Sequence, residues 1–293
     1  MSEFSHRLLH FAIRKLNAIN NRIENKKKQQ IENNWLVNFA NANYFDYNLR
    51  DGVKIRLYKD SVLSRLIFDG FENEELSFVE RFLKSGDIFF DIGANVGLFS
   101  LVASKKVGNE GHVVAFEPSP KTFIRLKENI SINSIGNIKA MNLGLSDKED
   151  FLHLNISENG YDAWNSFADA EDDKFQNKVK VKVSALDTLL EENGIDDINL
   201  IKLDVEGWEK YVLYGGEKFF QRKSPVIMVE FTEANTFAAG YHVQELFDIM
   251  QGWGYQWYRY INHELVPEIK KLHYPYDNLF AIKDLNKVKA RLK

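Results

Sequence analysis

The sequence contains no cysteine, which excludes disulfides, thiolate metal sites and a cysteine nucleophile together. It has no run approaching the roughly 20 apolar residues of a membrane span, and no continuous apolar core of a secretory signal. The mature chain is therefore expected to begin near Met1, to stay soluble and to work in the cytoplasm. Positive charge is not in excess either: 38 Lys and Arg stand against 42 Asp and Glu, a net charge of −4. With no global basic field to gather a long polyanion, nucleic acid is not an expected partner. Internal repeats are absent, and the only compositional bias is the short run Lys26–Gln30.

What is present suits a folded protein. The 293 residues, 44% hydrophobic and 27% charged, can bury a sizeable core and match an ordinary globular composition. Three regions are expected. In residues 1–45, Leu9, Ala12, Ile13, Leu16, Ile19 and Ile23 fall three or four apart between basic side chains, the pattern of a basic amphipathic helix. Such a helix docks on the domain or on a second subunit, or attaches to a membrane surface. Residues 46–85 show short alternating runs between Tyr47 and Phe68, predicting a small sheet, and then helical spacing over Glu74–Leu83. Residues 86–285 form the main domain.

In that domain strands and helices alternate: strands at Ile88–Ile92, Val113–Phe116, Ile138–Leu143, Leu200–Leu203 and Val226–Phe231, with helices at Leu98–Lys106, Lys121–Ser131, Ala185–Glu192, Trp208–Tyr214 and Val243–Gly252. The order predicts an α/β fold with a mostly parallel, doubly wound sheet. Tyr255–Tyr260 and Asn278–Ile282 are its expected closing strands. An insertion over about 151–183 places Phe151–Ile156 and Val179–Val183 around an acidic stretch, Asp169–Lys174, and is predicted to be hairpin-like.

The strongest chemical signal is Asp91-Ile92-Gly93-Ala94-Asn95-Val96-Gly97, where a hydrophobic strand runs into a small-residue turn and then a helix starting at Leu98. Glycines there let a ligand approach the backbone. The loop lacks the G-x-G-x-x-G of dinucleotide sites. Asp91 at the strand end would oppose a pyrophosphate but favour an ammonium or sulfonium, so the pattern prefers S-adenosylmethionine, with S-adenosylhomocysteine as product. Glu117 ends the next strand, 20 residues after Gly97, and can accept both ribose hydroxyls of an adenosine; Pro118 and Ser119 follow it. Asn142, Gly144 and Leu145, after the third strand, are expected to edge the adenine.

The fourth strand runs out through Lys202, Asp204 and Glu206, and the fifth ends on Glu230. Ligands of open α/β sheets bind at these carboxyl ends, so the acids converge with Asp91 and Glu117 on one rim. Asp204, Glu206 and Glu230 are the candidate catalytic groups for a hydroxyl acceptor that benefits from a base, and Asp204 is also a candidate cofactor contact. The alternative for Asp204 or Glu206 is capping the helix near Trp208. A divalent metal is not expected, since no histidine-bearing cluster accompanies the acids, although oxygen ligands alone could hold one. His242 beside Tyr241 could reach an acceptor, and Trp164 and Trp208 could stack on a sugar face.

Taken together, the five motifs Asp91–Gly97, Ala115-Phe116-Glu117-Pro118, Gly144-Leu145-Ser146-Asp147, Ile201–Gly207 and Val226–Phe231 resemble the FkbM-type methyltransferases, mostly O-methyltransferases of glycans and natural products. The resemblance runs from about Asp51 to Ala281 and includes Ser64-Arg65 and Asn278–Ala281 at its edges. It implies a Rossmann-like class I methyltransferase sheet with an antiparallel closing strand, an N-terminal helical extension and small β elements. It further implies cofactor binding at Asp91–Gly97 and Glu117, and an acceptor site near Asp204, Glu206 and the insertion; Arg65 and Ser166 are candidate acceptor contacts. A glycan or small-molecule acceptor is expected, foremost a sugar hydroxyl of a polysaccharide or glycolipid, then a polyketide or peptide hydroxyl. An NAD-dependent oxidoreductase and a non-catalytic cofactor-binding protein are the competing readings.

Overall fold

The computed structural model describes residues 26, 29–157, 160, 164–168 and 177–293. The stretch Asp169–Lys174 and nearly all of the predicted amphipathic helix lie outside the described residues. The chain divides after Phe45 into two units. In the first, residues 29–38 are helical (α1), and the rings of Trp35, Phe39 and Phe45 meet edge to face with centroids 4.6, 4.9 and 6.1 Å apart. Among the described residues no helix is long and apolar enough to cross a membrane.

The strand β1 (Tyr44–Asn48) carries the chain into the second unit, followed by β2 (Lys54–Tyr58). Two helices come next, α2 (Val62–Asp69) and α3 (Asn73–Phe82). α2 corrects the expectation of strands up to Phe68. Ser61 caps its start by accepting from the Ser64 N–H, Gly70 in the left-handed conformation ends it, and Leu63, Ser64 and Ile67 are buried on one helical face.

The core is an eight-stranded sheet. Its parallel part contains β3 (Ile88–Ile92), β4 (His112–Phe116), β5 (Ile138–Met141), β9 (Leu200–Leu203) and β10 (Val226–Phe231). β13 (Asp277–Ile282) pairs antiparallel with β10, and β11 (Gln256–Ile261) antiparallel with β13 and with β12 (Glu264–Pro267). The spatial order is β12-β11-β13-β10-β9-β3-β4-β5. Every residue of β9 and β10 is buried, as expected of parallel strands covered on both faces, and apolar residues dominate both apart from Lys202 and Glu230. From β3 the chain builds outward to β4 and β5, then returns to lay β9 on the opposite side. β3 and β9 therefore flank the switch point where such sheets bind ligands.

The predicted strand Ile138–Leu143 is split. β5 stops at Met141, and β6 (Gly144–Ser146) leaves for a second sheet, parallel to β8 (Asn177–Ala185). β8 also pairs antiparallel with β7 (Asp150–Ile156), so the insertion is a hairpin that recruits a third strand. Gly144 marks the break, because a Cβ there would come 3.0 Å from the Phe167 ring. The helices α4 (Leu98–Val107), α5 (Pro120–Ile132), α6 (Leu186–Asn193), α7 (Glu209–Gly215) and α10 (Gln244–Gly252) lie where the alternation predicts them. α8 (Glu217–Arg222), α9 (Glu233–Ala238), α11 (Leu285–Leu292) and β12 are additions.

The second sheet seats on the core where α7 ends. A Cβ at Gly215 would stand 2.0 Å from the Ser146 carbonyl oxygen, whereas one at Gly252 would meet nothing within 4 Å. Gly215→Ala is expected to lower stability by about 1–3 kcal/mol through overpacking, with Gly252→Ala neutral or slightly stabilising. Urea unfolding of both variants checks this, and equal midpoints would refute the close approach.

Candidate active site

A cavity of about 370 Å³ opens at the carboxyl ends of β3, β4, β9 and β10, within the size range of small-ligand sites. One wall is the glycine loop. The Gly93 and Ala94 N–H groups donate to the Phe116 carbonyl at 3.1 and 2.9 Å, folding the loop over β4. Gly93 has φ of +81°, and a Cβ there would lie 1.8 Å from the Asp204 carbonyl oxygen. No other residue type fits between the two loops. Gly93, Ala94, Asn95 and Leu98 line the cavity; Gly97 and Asp91 do not. Gly97 instead presses on α5, where a Cβ would stand 2.5 Å from Leu126.

Asp91 is wholly buried below the loop. One oxygen accepts from the Ser100 hydroxyl at 2.6 Å, and the other has no hydrogen-bond partner. Burial raises its pKa, with the Lys202 ammonium opposing. Asp91, expected to contact a cofactor, lies behind the loop, and its carboxylate does not line the cavity.

Glu117 lines the cavity. Its carboxylate accepts from the Asn95 N–H at 3.0 Å and the Ser119 N–H at 2.8 Å, which fixes its orientation and leaves lone pairs for a ligand. Burial pushes its pKa up to about 7, those two N–H groups opposing. Pro118, Gly144 and Leu145 are also on the wall, while Ser119 and Asn142 are not. Ser119 caps α5, its hydroxyl accepting from the Thr122 N–H. Asn142 donates to the Glu117 and Pro118 carbonyls at 2.8 and 3.0 Å, so both brace the Glu117 turn.

Opposite Glu117 stand Asp204, Glu206 and Glu230, with one oxygen from each lying within 4.8 Å of the others. Lys202 is buried on β9, and its ammonium meets Asp204 Oδ2 at 2.8 Å and the Gly93 carbonyl at 3.3 Å. Burial opposes that charge, but Asp204, Asp91 and Glu72 hold its pKa above the usual lysine range. Glu206 sits in the left-handed conformation, φ +54°, and accepts from the Asn235 amide at 2.7 Å. Burial and the neighbouring Asp204 and Glu209 raise its pKa well above the carboxylate range; burial, Asp204, Glu206 and Glu209 do the same for Glu230.

The helix cap near Trp208 is provided by neither Asp204 nor Glu206. No side chain caps α7; Glu209, its first residue, instead ties down the preceding turn: one oxygen accepts from the Val205 N–H at 3.0 Å and the Gly207 N–H at 3.2 Å, and the other from the Tyr241 hydroxyl at 3.2 Å. Sequence reasoning passed over Glu209 as an ordinary helix residue. It also missed Glu72 and Tyr276, which reach the cavity wall from α3's approach and the turn before β13, and Thr232 and Asn235 beyond β10. Tyr276 donates to Glu72 at 3.3 Å.

Of the expected acceptor contacts only Trp164 lines the cavity. Ser166 is one layer back, donating to the Glu206 carbonyl at 2.6 Å. Trp208 donates to the Ser146 hydroxyl and stacks on Tyr211 with centroids 4.0 Å apart. Tyr241 is buried against Glu209, and Arg65 pairs with Asp69 along α2 at 2.8 Å. His242 is exposed, its backbone N–H donating to Glu245. The side chains of these five, Ser166, Trp208, Tyr241, Arg65 and His242, do not line the cavity.

The parallel sheet with its reversed order, the antiparallel β13 and a cleft between a glycine loop and a second-strand acid define a class I methyltransferase-type fold. The methyltransferase FkbM domain model matches residues 91–257, and the chain belongs to that family. It is similar to hexuronic acid methyltransferase AglP of Haloferax volcanii, 30% identical over 48% of this chain and 55% of that protein. It is similar also to methyltransferase sdnD of Sordaria araneosa, 31% identical over 45% and 61%. A third relative is 31-O-demethyl-FK506 methyltransferase FkbM of Streptomyces tacrolimicus, 27% identical over 46% and 61%. The matches thus span little more than half of each relative.

Burial also sets a pH dependence. Glu117 and Glu209 titrate at about 7 and Glu72 at about 8, against 4.5 for an ordinary glutamate. The folded chain then holds more protons than the unfolded one between these values, so the ligand-free protein loses stability as pH rises from about 5 to 8. Glu117→Gln should flatten this decline by on the order of 3 kcal/mol. Urea midpoints measured across that range test it, and an unchanged slope would remove Glu117 from the titration.

Proposed function

We propose that the protein is an S-adenosylmethionine-dependent O-methyltransferase whose acceptor is a sugar hydroxyl. The observation that carries the reading is the arrangement of one cavity with an oriented acid, Glu117, and an open glycine loop on one side, and three clustered carboxylates on the other. The cavity residues suit the cofactor. Glu117 has lone pairs available for the ribose, the Gly93 loop leaves space that a side chain would fill, and Phe116, Pro118 and Leu145 offer apolar surface for an adenine.

When bound, the cofactor supplies an electrophilic methyl carbon on a sulfonium. The chain's own work is to align an acceptor hydroxyl with that carbon, which removes several kcal/mol of barrier, and to receive the hydroxyl proton. Asp204, held by Lys202, orients the acceptor. Glu206 and Glu230, whose raised basicity comes from burial and mutual repulsion, are the groups that take the proton. Trp164 and Phe167 give aromatic surface and Asn165, Thr232 and Asn235 polar groups, a mixture suited to a sugar ring. The name of the AglP relative, a hexuronic acid methyltransferase, supports a sugar; the FK506-modifying relative makes a polyketide hydroxyl the second acceptor class to assay.

Transfer of labelled methyl from S-adenosylmethionine to uronic-acid oligosaccharides is the experiment. Asp204→Asn is expected to lower turnover by on the order of 100-fold or more, with S-adenosylhomocysteine affinity retained within a few-fold. A fully active variant would remove Asp204 from the mechanism, and methylation of polyketide hydroxyls alone would replace the sugar reading.

A further inference from the structure

We propose that Ser166 is a positioning residue for Glu206, and that through it the insertion that would bear the acceptor also holds the acid that would receive the acceptor's proton. The chemistry rests on the methyl-transfer reading, whereas the mechanical link between the two residues does not.

The link begins on the insertion. Ser166 and Asn155 of β7 exchange backbone N–H to carbonyl bonds of 2.9 and 3.2 Å, and the Asn155 amide donates to the Ala168 carbonyl at 2.6 Å. Both residues are buried, so the segment 164–168 is fastened to the end of β7. The Ser166 hydroxyl accepts from the Ala168 N–H at 3.1 Å and donates to the Glu206 carbonyl at 2.6 Å. A hydroxyl has one proton to give, and here it goes to Glu206. The same segment presents Trp164, Asn165 and Phe167 to the cavity. The side chains that an acceptor would touch therefore lie one or two residues from the hydroxyl that grips Glu206.

The link ends on a backbone that needs holding. Glu206 has φ of +54° and Gly207 φ of +96°, two consecutive left-handed residues. That conformation is costly for a glutamate and persists where the surroundings over-determine it. Ser166 supplies one constraint, at the carbonyl. The other comes from α9, where the Asn235 amide donates to Glu206 Oε2 at 2.7 Å and a Cβ on Gly207 would stand 2.4 Å from the Asn235 carbonyl oxygen. The rings of Phe167 and Trp208, with centroids 5.6 Å apart, join the insertion to the same turn a second time. Glu206 lines the cavity and Ser166 does not, so Ser166 acts through Glu206. Misplacement of a reacting group by about 1 Å can lower a rate on the order of 100-fold, which makes this hold on the backbone consequential.

Ser166→Ala is the test, with Ser166→Thr, which keeps the hydroxyl, as the rescue. Ser166→Ala is expected to lower kcat by about tenfold while acceptor KM and S-adenosylhomocysteine affinity stay within about threefold, and Ser166→Thr to keep kcat within about threefold of the wild type. A residue that only stabilised the insertion would move KM together with kcat. A second readout needs no turnover: ¹³C NMR of the full chain labelled at the glutamate side-chain carboxyls, with Glu206 assigned by the resonance lost in Glu206→Gln. Burial, Asp204 and Glu209 hold the Glu206 pKa well above the carboxylate range, with Lys202 and Asn235 opposing. Released from Ser166, the turn admits water, and the Glu206 titration is expected to fall by about half a pH unit or more. Circular dichroism identifies the folded variants; where Ser166→Ala does not fold, Ser166→Cys, similar in size but a weak donor, carries the same expectations. A wild-type kcat or an unmoved Glu206 titration in the folded variant would overturn the proposal. A moved titration with no methyl transfer by the wild type would uphold the link and refute the enzymatic reading; transfer at the wild-type kcat in Ser166→Ala would do the reverse.

Discussion

The buried ammonium of Lys202 is the interaction on which the site depends. Lys202 lies on β9 beside Asp91 of β3 in the parallel register, at the point where the sheet reverses its order. From there it reaches both the Gly93 carbonyl and Asp204, tying the glycine loop to the acid-bearing loop after β9. The two loops already touch, since Gly93 leaves no room for a Cβ against Asp204. A lysine buried among acids keeps its charge only because Asp204, Asp91 and Glu72 surround it, and those acids stay concentrated there in part because it is present. Loss of the ammonium would leave uncompensated buried carboxylates, a cost of several kcal/mol.

That ion pair also separates the cavity into two chemically distinct sides. On the Glu117 side, each carboxylate oxygen is fixed by a backbone N–H, the arrangement of a preorganised recognition site. On the Glu230 side, Lys202 and Asn235 each meet one oxygen, of Asp204 and of Glu206, and the clustered acids raise the pKa of Glu206 and Glu230. The proposed methyl transfer would use both, the Glu117 side as a rigid seat for the cofactor and the acid cluster as the acceptor side.

The parts legible in the sequence were those that follow from the β/α alternation. Leu200–Leu203 and Val226–Phe231 are legible because apolar residues dominate both, with single charges at Lys202 and Glu230, as in a parallel strand covered on both faces. The convergence of Glu117, Asp204, Glu206 and Glu230 followed from strand ends alone. The split at Asn142-Leu143 is not legible, because β5 and β6 are both short and adjoin in the sequence, and the ring of Phe167 against Gly144 marks where the chain turns away. α2 is masked in the sequence because its Leu63 and Ile67 face falls within a stretch of mixed alternation. Glu72 and Tyr276 could not be foreseen, since they come from outside the alternating core and meet only in three dimensions. Trp208, Tyr241 and His242 drew attention as residue types suited to sugars or proton transfer, but their partners are Ser146, Glu209 and solvent. Residue type without neighbours carries little functional information.

The proposed function requires the glycine loop and Glu117 to hold a methyl-cycle nucleoside. Calorimetric titration of the full chain with S-adenosylhomocysteine, with NAD as control, tests it most directly. Saturable one-to-one binding of S-adenosylhomocysteine with no heat from NAD is the predicted result; binding of NAD alone would contradict it.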